Sequence, residues 1–201
     1  MHPALALLEL DSVAAGIRCG DAMVKRSPVE LLSAGTVHPG RYLVLVAGAV
    51  AHVDEARSAG LEGAGAALVD EIYLPQAHPQ VLASLAGRRP AGGHEALGVV
   101  ETTTCATLLG AADRGVKAAE VTLRELRLAD DLGGKAYCLF SGALTDVEAA
   151  MEAATAGIDP QQLLDSVLIP QLHPEMGERL DTAATLAPQL GRHGLVTEDS
   201  P

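Results

Sequence analysis

Residues 4–31 read "ALALLELDSVAAGIRCGDAMVKRSPVEL", and residues 96–123 read "ALGVVETTTCATLLGAADRGVKAAEVTL". Set one above the other at an offset of 92, Ala4, Leu5, Glu9, Asp21, Val24, Lys25, Val29 and Leu31 meet Ala96, Leu97, Glu101, Asp113, Val116, Lys117, Val121 and Leu123. The match continues at an offset of 94, where "PGRYLVLVAGAVAHVDEA" from Pro39 lies over "GGKAYCLFSGALTDVEAA" from Gly133. At an offset of 95, "LVDEIYLPQAHP" from Leu68 lies over "LLDSVLIPQLHP" from Leu163. The offset drifts only where turns belong. The 201 residues are therefore two copies of one module of about 90 residues. This divides the chain into a first domain over 1–87, a second over 95–181, and a tail over 182–201. A polar "GRRPAGGHE" at 87–95 joins the domains. The tail carries one short apolar helical stretch and then a polar end, and is expected to be partly disordered.

Each copy carries the same element signals. "ALALLEL" has the short apolar form of a strand, and residues 12–27 place Val13, Ile17, Gly20 and Val24 on one helical stripe. "VELLSAG" and "YLVLVAG" predict two strands around a turn at His38-Pro39-Gly40. "AVAHVDEARSAG" predicts a helix ending at Gly60 as its C′ glycine, and in the second copy Thr145 and Glu148 form a capping-box pattern. "LVDEIYL" predicts a fourth strand stopped by Pro75. The order β-α-β-β-α-β is the split motif of ferredoxin-like domains, which makes the fold class α/β (α+β) with two tandem ferredoxin-like units. Two helices on one face of a four-stranded sheet leave the other face and the edges to be covered, which invites oligomerisation.

Composition narrows the function. The net charge is −12, from 26 acidic and 14 basic residues, which argues against nucleic acid and against anionic membrane surfaces. The longest apolar stretch, "YLVLVAGAVA", is far shorter than the roughly 20 residues of a spanning helix. The N-terminal "MHPALALLELDSV" has no basic region and meets Asp11 early, so no signal peptide is expected. Aromatic residues are 2% against 48% hydrophobic, so the core is built from Ala, Val and Leu. Cys19, Cys105 and Cys138 are widely spaced, which suits buried thiols in a reducing cytosol. Gly63-Ala64-Gly65 stands in the wrong context for a dinucleotide fingerprint, and no acid–base pair at convincing spacing points to catalysis. A ferredoxin-like enzyme or small-ligand sensor is the lowest-ranked rival.

On these residues both copies resemble the bacterial microcompartment shell domain. The opening strand, first helix and lysine of "ALALLEL…AGIRCGDAMVK" carry the resemblance, as do the "LPQAHP" and "IPQLHP" endings. The resemblance implies a structural, non-enzymatic protein of the microcompartment shell within the cytoplasm. It implies a homotrimer that passes for a hexamer, tiling with other shell hexamers and pentamers around a central pore for small metabolites. Lys25 and Lys117 would lie at tile edges, with His78 and His173 near the partner edge.

The likeness is to the propanediol-utilisation type, which carries an iron–sulfur cluster at its threefold axis and whose first pore loop reads Cys-Pro-Gly-Lys. Here that loop is His38-Pro39-Gly40-Arg41, so the thiolate is replaced by imidazole. Three His38 side chains around an axis either hold a metal ion or modified cluster for electron passage, or line and narrow a pore. An imidazole at a constriction would also make pore charge depend on pH. The second pore loop is "LADDLGGKA" at 128–136. Asp130 and Asp131 would add negative charge at the mouth, or serve as ordinary turn residues, and Gly133, Gly134 and Lys135 resemble the family's Gly-Gly-Lys.

Overall fold

A computed structural model describes residues 3–90, 95–129 and 132–182. Asp130 and Asp131, the linker positions 91–94, and the tail from 183 onward lie outside the described residues. The first half runs β1 (Ala4–Leu10), α1 (Val13–Arg26), β2 (Glu30–Val37), β3 (Arg41–Gly48), α2 (Val50–Ala64), β4 (Leu68–Leu74) and α3 (Pro79–Leu85). The second half repeats it as β5 (Ala96–Thr102), α4 (Cys105–Ala118), β6 (Thr122–Leu128), β7 (Ala136–Gly142), α5 (Leu144–Thr155), β8 (Leu163–Ile169) and α6 (Pro174–Asp181).

Each half folds one antiparallel sheet, ordered β2-β3-β1-β4 in the first and β6-β7-β5-β8 in the second. The register slips at matching places in the two sheets, at Glu9/Leu10 and Glu101/Thr102, and again at Leu31/Ser33 and Leu123/Glu125. Repeated bulges show that the copies share backbone detail as well as topology. Among the described residues no helix is long and apolar enough to cross a membrane.

Every residue of β1 is buried, which two-sided burial of a central strand requires. Ala4, Ala6, Leu8 and Leu10 face α1 and α2 and pack with Cys19, Met23, Val53 and Ala56. Leu5 and Leu7 point the other way, into a core shared with the second domain's Cys105, Leu108, Leu109 and Ala112. The two domains therefore share one apolar interior rather than hanging from a linker.

Three local expectations change. Helix α2 does not stop at Gly60 but continues to Ala64. A Cβ at Gly60 would sit 2.8 Å from Met23 Cγ and 3.1 Å from Leu8 Cδ2. The glycine is there for close approach of α1 and α2, not for a turn. Helix α5 begins at Leu144 with Ala143 as N-cap and no side-chain cap, so Thr145 and Glu148 form no capping box. The stripe of Val13, Ile17 and Val24 faces away from its own domain. The core face of α1 is Ala15, Gly16, Cys19, Gly20 and Met23.

Two helices beyond the βαββαβ order were unforeseen. Both α3 and α6 start at a proline after a histidine, and the His78 and His173 side chains accept from Gln80 N and Glu175 N. His-Pro at N-cap and N1 is a readable start signal.

Candidate functional site

The turn between β2 and β3 and the turn between β6 and β7 meet at one end of the molecule. Gly40 has φ +104, and Gly133 and Gly134 have φ +64 and +87. A Cβ built on Gly134 would lie 2.7 Å from the Pro39 ring and 3.4 Å from His38 O. His38 is exposed and, with Thr36, Val37 and Gly40, lines a hollow of about 280 Å³.

The basic residues of both loops turn back toward the body. Arg41 Nη1 donates to Glu9 Oε1 (2.5 Å) and to Thr103 O (3.2 Å), and Lys135 Nζ pairs with Glu101 Oε1 (3.1 Å). Of the residues read as pore-lining, His38, Pro39, Gly40, Gly133 and Gly134 gather at the tip. Arg41 and Lys135 anchor the loops, and Asp130 and Asp131 are outside the described residues. Gly134→Ala is expected to cost about 1–2 kcal/mol from left-handed strain alone, plus the Pro39 clash. Gly40→Ala, with nothing within 4 Å of its Cβ position, carries the strain only. Thermal unfolding of the two variants checks the order.

The second feature is the seam where β1 and β4 of the first domain meet α4 of the second. Asp70 Oδ2 accepts from Thr104 Oγ1 (2.5 Å), Thr107 Oγ1 (2.7 Å) and Thr107 N (3.2 Å), so it caps α4 from the neighbouring domain. A carboxylate at a helix N-terminus is favoured by the free N–H groups and the dipole there. Glu9, fully buried, accepts from Cys105 N through Oε2 (2.8 Å). Its carboxyl pKa is raised above 4.5, chiefly by burial, against the lowering effect of Arg41.

Farther along the seam, His78 N donates to Asp113 Oδ1 (2.8 Å), and Lys117 Nζ bonds Asp113 and Gln76 O. Lys117 is thus part of the joint between domains. Lys25, its counterpart, pairs with Asp21 (2.7 Å) on an open surface. Gln80 closes the far end of the seam, donating to Val121 O (2.8 Å) and accepting from Leu123 N (2.7 Å). Glu9, Asp70, Asp113 and Gln80 were missed as seam residues by sequence reasoning. The signal available was that Glu9 and Asp21 recur as Glu101 and Asp113.

Among the described residues, parts of the same surfaces recur in an exposed form. On α4 the stripe Cys105, Leu109 and Val116 is 0%, 0% and 5% exposed. The equivalent Val13, Ile17 and Val24 of α1 are 40%, 57% and 40% exposed. Leu123 of β6 is buried, while its counterpart Leu31 is exposed. On the other side, Asp165 and Val167 of β8 are exposed where Asp70 and Ile72 of β4 are half-buried. Asp165 Oδ1 accepts from Ser166 N as Asp70 Oδ1 does from Glu71 N.

Among the described residues no three His, Cys, Asp or Glu side chains gather as a metal group. The three cysteines are all buried. Burial pushes the Cys19 thiol up to about 11 and the Cys138 thiol up further. None lies at the loop tips, so the residues present do not fit an iron–sulfur cluster held by thiolates.

Comparison with known proteins follows the duplication. The family model described as the BMC domain matches twice, over residues 4–77 and 96–172. The chain is 38% identical over 181 residues to the bacterial microcompartment shell protein PduT of Citrobacter freundii, covering 90% of this chain and 98% of that one. A solved microcompartment protein from Desulfitobacterium hafniense superposes with a TM-score of 0.77 at 36% identity, over 89% of this chain and 99% of that one. The fused permuted hexameric shell protein MSM0275 from the RMM microcompartment shares the fold, with a TM-score of 0.53 at 22% identity over 76% and 81%. Two matched domains, a sheet with paired helices in each, and relatives matched almost end to end converge: the chain belongs to the BMC-domain family of bacterial microcompartment shell proteins, in its tandem form.

Proposed function

We propose that three chains join head to tail into a closed ring of six BMC domains, and that this ring is a wall tile of a microcompartment. One observation carries the reading: among the described residues, the α1 stripe Val13, Ile17 and Val24, Leu31 of β2, and Asp165 and Val167 of β8 are exposed where their counterparts meet inside the chain. The α1 stripe of one chain fits the β5/β8 face of the next as α4 fits β1/β4. A repeated head-to-tail contact generates a ring when its rotation closes. The two loop tips touch at one end of the chain, so ring closure brings three His38 side chains and three Gly133-Gly134 turns to the centre. The opening there passes small metabolites, and its width and charge are set by His38 and by the loop at 128–136. The opposite ends of the strands carry Lys25, Lys117, His78 and His173 toward the rim. There the tile meets other shell hexamers and pentamers.

Sedimentation velocity of the purified chain tests this. A three-chain mass is the expected result, and Lys25→Ala is expected to weaken sheet assembly in electron micrographs. A single-chain mass at micromolar concentration sinks the ring.

A further inference from the structure

We propose that closing the ring takes up protons at Glu175, so that the joint between chains, unlike the joint within a chain, loosens as pH rises. The inference rests on the ring reading above and deepens it. Within the chain, the Gln80 amide meets two backbone groups of the second domain at once. Its oxygen accepts from Leu123 N and its nitrogen donates to Val121 O. The duplication gives the equivalent positions between chains: Glu175 for Gln80, Leu31 for Leu123 and Val29 for Val121. Glu175 is held like Gln80, second in a short helix whose capping histidine accepts from its N–H.

A carboxyl has the shape of the amide but not its donors. Ionised, it accepts from Leu31 N and turns a bare oxygen toward Val29 O. Protonated, it does what Gln80 does. An unmet carbonyl facing a carboxylate in a closed seam is costly, so association selects the protonated form.

The surrounding charges act in the same direction. The hollow beside Gln80 is lined by Ala83, Ser84, Arg88, Arg89, Thr122 and Leu123. Its counterpart between chains has Glu178 for Ala83, Arg179 for Ser84 and Glu30 for Thr122. Two further carboxylates and one guanidinium therefore face Glu175 from α6 and β2. From α1 come Lys25 and Asp21, which are paired to each other. His173 caps the helix by accepting from Glu175 N through Nδ1.

The test measures ring association by sedimentation velocity from about pH 5.5 to about pH 8 in the presence of a chelator, for wild type and Glu175→Gln. With one proton per seam and three seams, the ring constant of wild type falls by up to about 1000-fold per pH unit relative to the variant. Glu175→Gln is expected to hold the ring at the alkaline end. Equal pH slopes in the two forms overturn the proton linkage and leave the ring standing. Single chains in both forms at every pH overturn the ring and the linkage with it. Gln80→Glu supplies an independent arm within one chain: its unfolding temperature is expected to fall more at pH 8 than at pH 5.5 relative to wild type, and equal loss at both overturns the chemistry proposed for the site.

Discussion

Glu9→Ala is expected to lower the unfolding temperature by about 10 °C. Glu9 is fully buried and joins both halves of the molecule: Arg41 donates to one oxygen and Cys105 N to the other. Removing it leaves a guanidinium and a helix N–H facing a cavity. Deleting one partner of a buried ion pair costs about 3–5 kcal/mol. Arg41 is a quarter exposed and recovers some hydration, which places this case near the lower bound. About 3 kcal/mol corresponds to roughly 6–12 °C for a chain of this length.

The pH dependence runs in a definite direction. Because burial raises the Glu9 carboxyl above 4.5, the folded state holds a proton that the unfolded chain has already released. That contribution to stability is fully present below pH 4.5 and is lost as pH rises through the folded value. Calorimetry of wild type across this range, with Glu9→Ala as reference, reads the difference. An unchanged melting temperature in Glu9→Ala refutes the role of Glu9 as the pin between domains.

Asp165→Lys is expected to turn rings into single chains. Asp70 caps α4 with three hydrogen bonds, and the proposed ring would put Asp165 at the start of α1, where Ser12 Oγ and Ala15 N repeat two of the three donors. A hydrogen bond to a charged group contributes about 1.5–3 kcal/mol, and a lysine adds repulsion from the positive end of the helix. Three seams per ring bring the loss to about 6–9 kcal/mol, roughly 10⁴- to 10⁶-fold in the ring constant. Asp165 is exposed in the chain, so folding itself is expected to change by less than about 0.5 kcal/mol. The sedimentation coefficient should drop while the unfolding temperature of the single chain holds. A ring that survives Asp165→Lys would mean that α1 does not dock on β8.

These variants show where pattern and packing part company. Apolar runs locate β1 and β3 because a central strand must be apolar on both sides, whatever covers it. The end of α2 is not legible at Gly60, because a glycine looks the same in a sequence whether it ends a helix or admits a neighbouring methionine. Arg41 and Lys135 read as pore residues by their place in a loop. Their side chains pair with Glu9, which is buried, and with Glu101, which is part-exposed, each some thirty residues away in sequence.

The residue order alone was enough for the duplication, the β-α-β-β-α-β plan and the acidic net charge, since periodicity, repetition and composition need no packing to be read, and the family followed from a resemblance of motifs. It could not say which face of α1 looks inward, because both of its faces carry apolar residues. Packing decided that Ala15, Cys19 and Met23 go to the core and that Val13, Ile17 and Val24 are left over. The physical reason is close approach: small residues let α1 lie on its own sheet and against α2. Larger ones are then held out for a surface that, in the second copy, the first domain already provides.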